Sequence, residues 1–357
     1  MKIFIIGGTG FLSSHVVEIL LERGHDVTMF TRGNRENPFR KNGNLTWKRG
    51  DRNNIDELRE TAEGKTYDAV YDFVAYEPES TQIAVDVFRG KVDRFIHCST
   101  ISVYMVSNEV RCPITEDQDK GPLMEFFPRN PFGMQYGIDK RKCEDILWDA
   151  HDENTFPVSM LRPTYISGPE DPAMRDYFWI QRILDGKPLL VPGSGHFAFQ
   201  QVYVNDVARA FTDLLDYPES IGKAYNVAAE EIFSLNDYLR KLGTLLGKDP
   251  ELFHVDQEVF DKLPFSVSPN GDVFTFNTRR TSVFSLDRIK RDLHFSSTPF
   301  EEWMLKTIRW FSEKYDGHSL GYENRAQEIE FAEHWKREKQ KFTTNIQQKY
   351  IGDSTNE

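Results

Sequence analysis

Residues 2–14, KIFIIGGTGFLSS, carry the reading of the whole chain. Ile3 to Ile6 is a short apolar run of the kind that forms a strand covered on both faces. Gly7, Gly8 and Gly10 follow as a turn whose backbone can come close to a ligand, and Phe11 to Arg23 carries Val16, Ile19 and Leu20 at helical spacing. A helix beginning there presents unpaired N–H groups and the positive end of its dipole to an anion, which suits a dinucleotide pyrophosphate. Glycines alone mark many ordinary strand-to-helix turns. Strand before and helix after raise this triplet to a nucleotide-binding fingerprint.

The remaining composition bounds the partners. The 357 residues are 39% hydrophobic and 28% charged, enough for a substantial core. A net charge of -12 argues against nucleic acid or an anionic membrane as a bulk electrostatic partner. No apolar run approaches the roughly 20 residues that span a bilayer. The strand at Lys2 runs straight into the glycine turn, unlike a cleaved leader. These features predict a soluble, cytoplasmic protein. Cys98, Cys112 and Cys143 have neither disulfide-framework nor zinc spacing and read as reduced thiols.

Short apolar strands then alternate with helices. His25–Phe30, Leu45–Arg49, Asp68–Ala75, Arg94–Ser99 and Val158–Leu161 read as strands; Asn54–Ala62, Ser80–Phe88 and Tyr136–Trp148 read as helices. This predicts an α/β Rossmann-type doubly wound parallel sheet, with ligands gathered at the carboxyl ends of its strands. Met105–Arg129 reads as loop. After Gly168 the alternation breaks, and a polar connection spans 267–281. The expected organisation is a dinucleotide-binding domain over 1–170, a smaller substrate lobe over 171–313 that closes over the cofactor, and a polar extension over 314–357. In that extension Glu328–Lys341 forms an amphipathic helix and the end from Ile351 is disordered.

Cofactor choice is written at the end of the second strand. An acidic residue there would bond the adenosine ribose, whereas arginine suits a 2′-phosphate. Thr31 stands in the acidic position, followed by Arg32 and Arg35, which favours NADP(H) over NAD(H). Asp51, after the third strand, is placed to accept from an adenine amine.

The chemistry converges on Thr100 after the fifth strand, Tyr136 on the next helix, and Lys140 four residues later on the same face. A phenol titrates near 10, so a neighbouring ammonium and the nicotinamide charge are needed to lower it. Tyr136 then moves a proton to or from a substrate hydroxyl while hydride passes to the nicotinamide. Thr100 holds the same oxygen, and Lys140 also reaches the nicotinamide ribose. His97 beside Cys98 reads as packed core, since no second ligand pair has suitable spacing for a metal.

Gly7-Gly8-Thr9-Gly10-Phe11-Leu12, Ser99-Thr100 through Val103-Tyr104, Tyr136 with Lys140, Arg162-Pro163 with Gly168-Pro169, and Val202–Ala208 together resemble the extended short-chain dehydrogenase/reductases, the NAD-dependent epimerase/dehydratase family. The resemblance covers residues 1 to about 313. It implies a nucleotide-sugar epimerase or reductase, with catalytic Thr100, Tyr136 and Lys140. Gly7, Gly10, Phe11, Leu12, Arg32, Asp51, Ala75, Tyr136, Lys140 and Pro163 are the implied cofactor contacts. Tyr177, Gln200, Arg279 and Arg280 are the candidate substrate contacts. The resemblance, not the residues themselves, also suggests a homodimer.

Departures narrow the reaction. Ser13 replaces the third fingerprint glycine, which would set the first helix slightly further from its strand. Sugar dehydratases of this family carry Asp-Glu where this chain has Ile101-Ser102, so water elimination lacks its acid and base. Decarboxylating relatives keep a glutamate at Ser102. An epimerase or a simple ketone/alcohol oxidoreductase remains. Thr31-Arg32-Gly33 and Asp72–Tyr76 look most like a branch that includes chloroplast stem-loop RNA-binding proteins. The alternative is therefore a non-catalytic or regulatory RNA- or protein-binding member of the same fold.

Overall fold

The computed structural model describes residues 1–125, 131–153, 156–263, 276 and 279–351. Seven parallel strands form the main sheet: β1 (Lys2–Ile6), β2 (Asp26–Thr31), β3 (Leu45–Arg49), β4 (Ala69–Asp72), β5 (Phe95–Cys98), β6 (Val158–Pro163) and β7 (Lys223–Val227). Their order across the sheet is β7-β6-β5-β4-β1-β2-β3. The direction of winding reverses between β1 and β4, and such a switch point opens a crevice beyond the carboxyl ends of the strands. This is the Rossmann-type arrangement that the alternating pattern predicts.

Period-two alternation sends the β1 side chains to opposite faces. Phe4 and Ile6 join a buried cluster with Leu58, Val85, Phe88 and Leu147, drawn from α2 (Ile55–Ala62), α3 (Pro78–Phe88) and α5 (Pro131–Asp152). On the other face α1 (Phe11–Glu22) packs against the helix Val204–Asp213. Both faces of β1 are thus covered, and Ile3 to Ile6 are fully buried.

Several boundaries differ from the sequence pattern, each for a local reason. The β4 strand stops at Asp72 instead of Ala75, because the Asp72 carboxylate accepts the Val74 N–H at 3.1 Å and turns the chain. The α5 helix begins at Pro131, five residues before Tyr136, as suits a proline at a helix start. Within the expected loop, α4 (Ser102–Met105) and a 3₁₀ turn at Glu116–Gln118 form. Most of the polar connection over 267–281, and residues 352–357 of the tail, lie outside the described residues.

Two compact units divide the chain. The first contains the sheet and consists of Met1–Pro172, Gln200–Ile232 and Ser282–Lys306; the second consists of Ala173–Phe199, Phe233–Thr281 and the chain from Thr307. The second unit has two small strand pairs, Leu189–Pro192 with Leu252–Val255 and Ala198–Phe199 with Phe233–Ser234. Its helix Arg325–Ile346 starts before and ends after the stretch that the sequence marks. That helix is fastened by the buried pair Arg182–Glu328 at 2.6 Å and by Arg325–Asp185 at 2.8 Å. Neither pairing is visible in the local pattern, because the partners lie more than a hundred residues apart.

The glycine turn shows why β1 ends as it does. Gly7 and Gly8 have φ of 110° and 111°, a region that L side chains rarely adopt. A methyl group on Gly8 would also lie 2.4 Å from Met29 Sδ. Gly8→Ala is expected to cost about 1–3 kcal/mol, read as a lower urea midpoint at unchanged slope.

Candidate active site

The turn after β1 uses some of its own donors. Ser13 Oγ accepts from the N–H groups of Gly8 at 3.2 Å and Gly10 at 3.0 Å. The serine thus folds back onto the helix start as a capping side chain does, a use that the reading of position 13 as a lost glycine did not foresee. Phe11 and Leu12 are the first two residues of α1. Their N–H groups belong to the set that has no intrahelical partner, which makes this end of α1 an anion site.

A cleft of about 350 Å³ lies over this turn, lined in part by Gly7, Gly10, Arg32, Arg35, Asp51 and Tyr76. The end of β2 shapes its wall. Thr31 Oγ1 accepts from Trp47 Nε1 at 2.9 Å and from the Gly33 N–H at 3.2 Å. Arg49 lies over the Trp47 ring at 4.5 Å, and Arg35 Nη1 donates to the Thr9 carbonyl at 3.4 Å. Arg35 therefore belongs to the cleft, although the sequence alone left it as readily a solvated loop residue. Asp51 Oδ1 accepts from the Asn53 N–H at 2.9 Å, and its own N–H donates to Glu57 Oε2 at 2.7 Å.

Beneath the wall, Arg52 Nη1 donates to both Asp72 oxygens, at 2.8 and 2.9 Å, and Nη2 donates to the Ser80 carbonyl. The Asp72 side chain is fully buried, so this ion pair is an internal strut. Asn34, Asn53, Val74, Glu77 and Ser80 also line the cleft. Sequence reasoning missed them because four lie in loops whose only signal is proximity to strand ends, and Ser80, in the first turn of α3, reads simply as part of a helix start.

The expected catalytic set gathers at the end of β5. Thr100 Oγ1 accepts the Ser102 N–H and donates to Ser102 Oγ, both at 3.2 Å. Tyr136 is half-buried, and its ring lies 6.4 Å from that of Tyr76. Burial raises the Tyr136 phenol above its ordinary value, while the neighbouring Thr100 hydroxyl acts in the other direction. The depression expected from Lys140 is not found in the protein alone: the ammonium is turned to Ala75, Cys98 and His97, and desolvation disfavours phenolate.

Lys140 is buried and fully engaged. Its ammonium donates to the carbonyls of Cys98 at 2.7 Å and Ala75 at 2.9 Å, and lies 3.0 Å from His97 Nε2. Burial lowers its pKa. Ala75 therefore enters the site through its carbonyl. Pro163 ends β6, and its carbonyl accepts the Ile101 N–H at 3.2 Å, tying the turn after β5 to the neighbouring strand.

Arg162, one residue earlier, anchors this region from below. It donates to Glu144 Oε1 at 2.9 Å and Oε2 at 2.6 Å, to Asp119 at 2.6 Å, to the Tyr104 hydroxyl at 2.6 Å and to the Glu116 carbonyl at 2.9 Å. Ser99 also donates to Glu144.

The four candidate substrate contacts have local roles. Gln200 is buried in the first unit, donating to the Ala229 carbonyl and accepting the Phe284 N–H, each at 2.7 Å. In the second unit Tyr177 stacks on Phe311 at 4.1 Å and donates to the Gly317 carbonyl at 2.9 Å. Arg279 pairs with Asp261 at 2.7 Å, and Arg280 is half-buried. Among the described residues no group of acidic, histidine or cysteine side chains could hold a metal ion, and no helix is long and apolar enough to cross a membrane.

The model of the NAD dependent epimerase/dehydratase family matches residues 3–228, more than half of the chain. The chain belongs to that family. It shares the fold and the NAD-dependent enzyme class of the epimerase/dehydratases. It is 26% identical over 274 residues to the chloroplast stem-loop binding protein of 41 kDa b of Arabidopsis thaliana, covering 73% of this chain and 67% of the relative. A trifunctional UDP-glucose 4,6-dehydratase/3,5-epimerase/reductase of the same plant is 25% identical, over 70% of this chain but only 40% of its own length. The UDP-glucuronic acid 4-epimerase of Bacillus cereus, solved with NAD, superposes with a TM-score of 0.69 at 21% identity, covering 88% of this chain and 100% of the neighbour. In such a sheet ligands gather beyond the carboxyl ends of the strands, where the glycine turn and the end of β5 both lie.

Proposed function

We propose that the protein is a dinucleotide-dependent epimerase or reductase of a nucleotide sugar, with NADP(H) favoured, and that Tyr136 is its acid/base. The observation that carries this reading is the place of Tyr136: its ring lies 6.4 Å from that of the cleft residue Tyr76, on the helix that also carries the buried Lys140 ammonium. The cleft residues fit the cofactor: Gly7 and Gly10 leave room for a diphosphate, the helix that starts at Phe11 directly after them supplies N–H donors, and Asp51 suits the adenine amine. Arg32 and Arg35 supply cationic forks for a 2′-phosphate, and Thr31 brings no negative charge to oppose it. When bound, the nicotinamide supplies the hydride chemistry. Thr100 holds the substrate oxygen, Tyr136 gives or takes its proton, and the Lys140 charge favours phenolate when a proton must be taken. Ile101 is buried apolar and Ser102 is engaged with Thr100, so no carboxylate stands where a dehydratase would need one.

Incubation with UDP-glucose and related keto-sugars tests the reading. Stoichiometric NADPH consumption identifies a reductase, and 4-epimer formation on tightly retained NAD identifies an epimerase. Arg32→Ser is expected to weaken NADP⁺ binding by about tenfold or more, the worth of a charge-assisted hydrogen bond. NAD⁺ affinity should change little, and equal losses for both would contradict the assignment of Arg32. A second reading, RNA binding, is favoured by the likeness to a stem-loop binding protein and opposed by the net charge of -12. Its test is an electrophoretic shift with structured RNA at physiological salt.

A further inference from the structure

The contacts of His97 go beyond packing. His97 is fully buried in the middle of the sheet, opposite Asp72 on β4 and Met160 on β6. Its Nε2 lies 3.0 Å from Lys140 Nζ. An ammonium can only donate, so Nε2 is the acceptor and the imidazole proton resides on Nδ1. Nδ1 is buried without a hydrogen-bond partner among the described residues. The ring thus turns one nitrogen to the lysine while the other gains nothing, an arrangement that packing alone does not require. Burial and the Lys140 charge hold His97 well below its ordinary pKa, so it stays a neutral acceptor.

The three acceptors, Ala75 O, Cys98 O and His97 Nε2, match the three protons of the ammonium. Lys140 is buried, and burial works to strip its charge. The groups that act on it electrostatically are Asp72 from β4, Cys98 from β5, and Cys143 and Glu144 from α5; Arg52 acts on His97 from beyond β3. Asp72 is already bound to Arg52, and Glu144 to Arg162. The hydrogen-bond acceptors are therefore what the ammonium has at contact distance.

We propose that His97 is a positioning residue for Lys140: its neutral Nε2 completes the ammonium's hydrogen bonds, keeping the lysine charged and fixed, so that it acts on a bound dinucleotide through its charge while the protein holds all three of its protons. This rests on the reading of Lys140 as a cofactor-site residue. No proton passes through His97, whose Nδ1 leads nowhere.

The test is NADP⁺ titration of the full chain as a function of pH, on wild type, Lys140→Met, His97→Leu and His97→Gln, with thermal midpoints recorded for each. Lys140→Met should weaken binding. His97→Leu removes the acceptor and should weaken binding about tenfold at neutral pH. It should also move the alkaline loss of affinity about one pH unit lower, because the ammonium loses a bond that favours its charged form. His97→Gln, whose carbonyl oxygen can reach the same proton, should restore both to near wild type. A merely structural histidine would change the thermal midpoint without moving the pH limb. Overturning results are wild-type affinity and pH limb in His97→Leu, or a glutamine variant that fails as the leucine variant does. If Lys140→Met binds like wild type, the place of Lys140 falls and that of His97 with it. Absence of NADP⁺ and NAD⁺ binding by the wild type would instead refute the reading of the cleft.

Discussion

Tyr136→Phe is expected to lower turnover by about 10²- to 10⁴-fold, the usual worth of a positioned general acid or base, while dinucleotide affinity and thermal midpoint stay near wild type. Phenylalanine keeps the ring that lies 6.4 Å from Tyr76 and deletes only the phenol oxygen. Fold and cofactor cleft should therefore survive, and the loss should fall on the chemical step, with kcat and kcat/KM dropping together. Burial raises the phenol above its ordinary value, so at neutral pH the group is protonated. Ketone reduction, which needs the proton, is then supported at neutral pH. Alcohol oxidation, which needs phenolate, should rise as pH increases. Turnover profiles in both directions check the sign: an oxidation rate that fell with rising pH on the neutral side would exclude Tyr136 as base.

Arg162→Met is expected to destabilise the protein by about 3–5 kcal/mol, the cost of leaving a buried charge without its partner. The Arg162 and Glu144 side chains are each 1% exposed. Burial opposes the guanidinium charge, but Glu144, Tyr104 and Asp119 more than offset it and hold its pKa well above the ordinary value. Removing it leaves the buried Glu144 charge with only the Ser99 hydroxyl and takes the ion-pair partner from Asp119, while the Tyr104 hydroxyl keeps its 2.7 Å bond to Asn226. Urea unfolding of Arg162→Met, Glu144→Leu and the double variant measures this. The double variant should be less destabilised than the sum of the singles, since it removes both charges together. Additive losses would show that the two do not act as a pair.

The sheet was legible because its strands announce themselves locally. Ile3–Ile6 is apolar throughout, glycine follows, and helical periodicity resumes, so neighbouring residues carry the whole signal. The placement of Thr100, Tyr136 and Lys140 was legible for the same reason: a hydroxyl follows a strand, and two side chains lie four apart on one helix. What could not be read depends on residues distant in sequence. Ser13 accepts two turn N–H groups, although by residue type it looks only like a missing glycine. Arg52 reaches Asp72 across 20 positions, and Arg182 reaches Glu328 across 146. No periodicity encodes those pairings. His97 looked like core by hydropathy and position, and it is buried; its bond to Lys140 emerges only when α5 packs beside β5. Substrate recognition was the least legible. Gln200 and Tyr177 are plausible contacts by residue type, yet their polar atoms are bonded to backbone within their own units.

Titration of the wild-type protein with NADPH, followed by nicotinamide fluorescence and competed with NADP⁺, tests the central claim most directly. Saturable binding of one dinucleotide per chain, with Arg32→Ser turning the preference toward NADH, is the predicted result. No saturable binding of either NADPH or NADH at millimolar concentration would contradict the assignment of the cleft, and with it the role given to Tyr136.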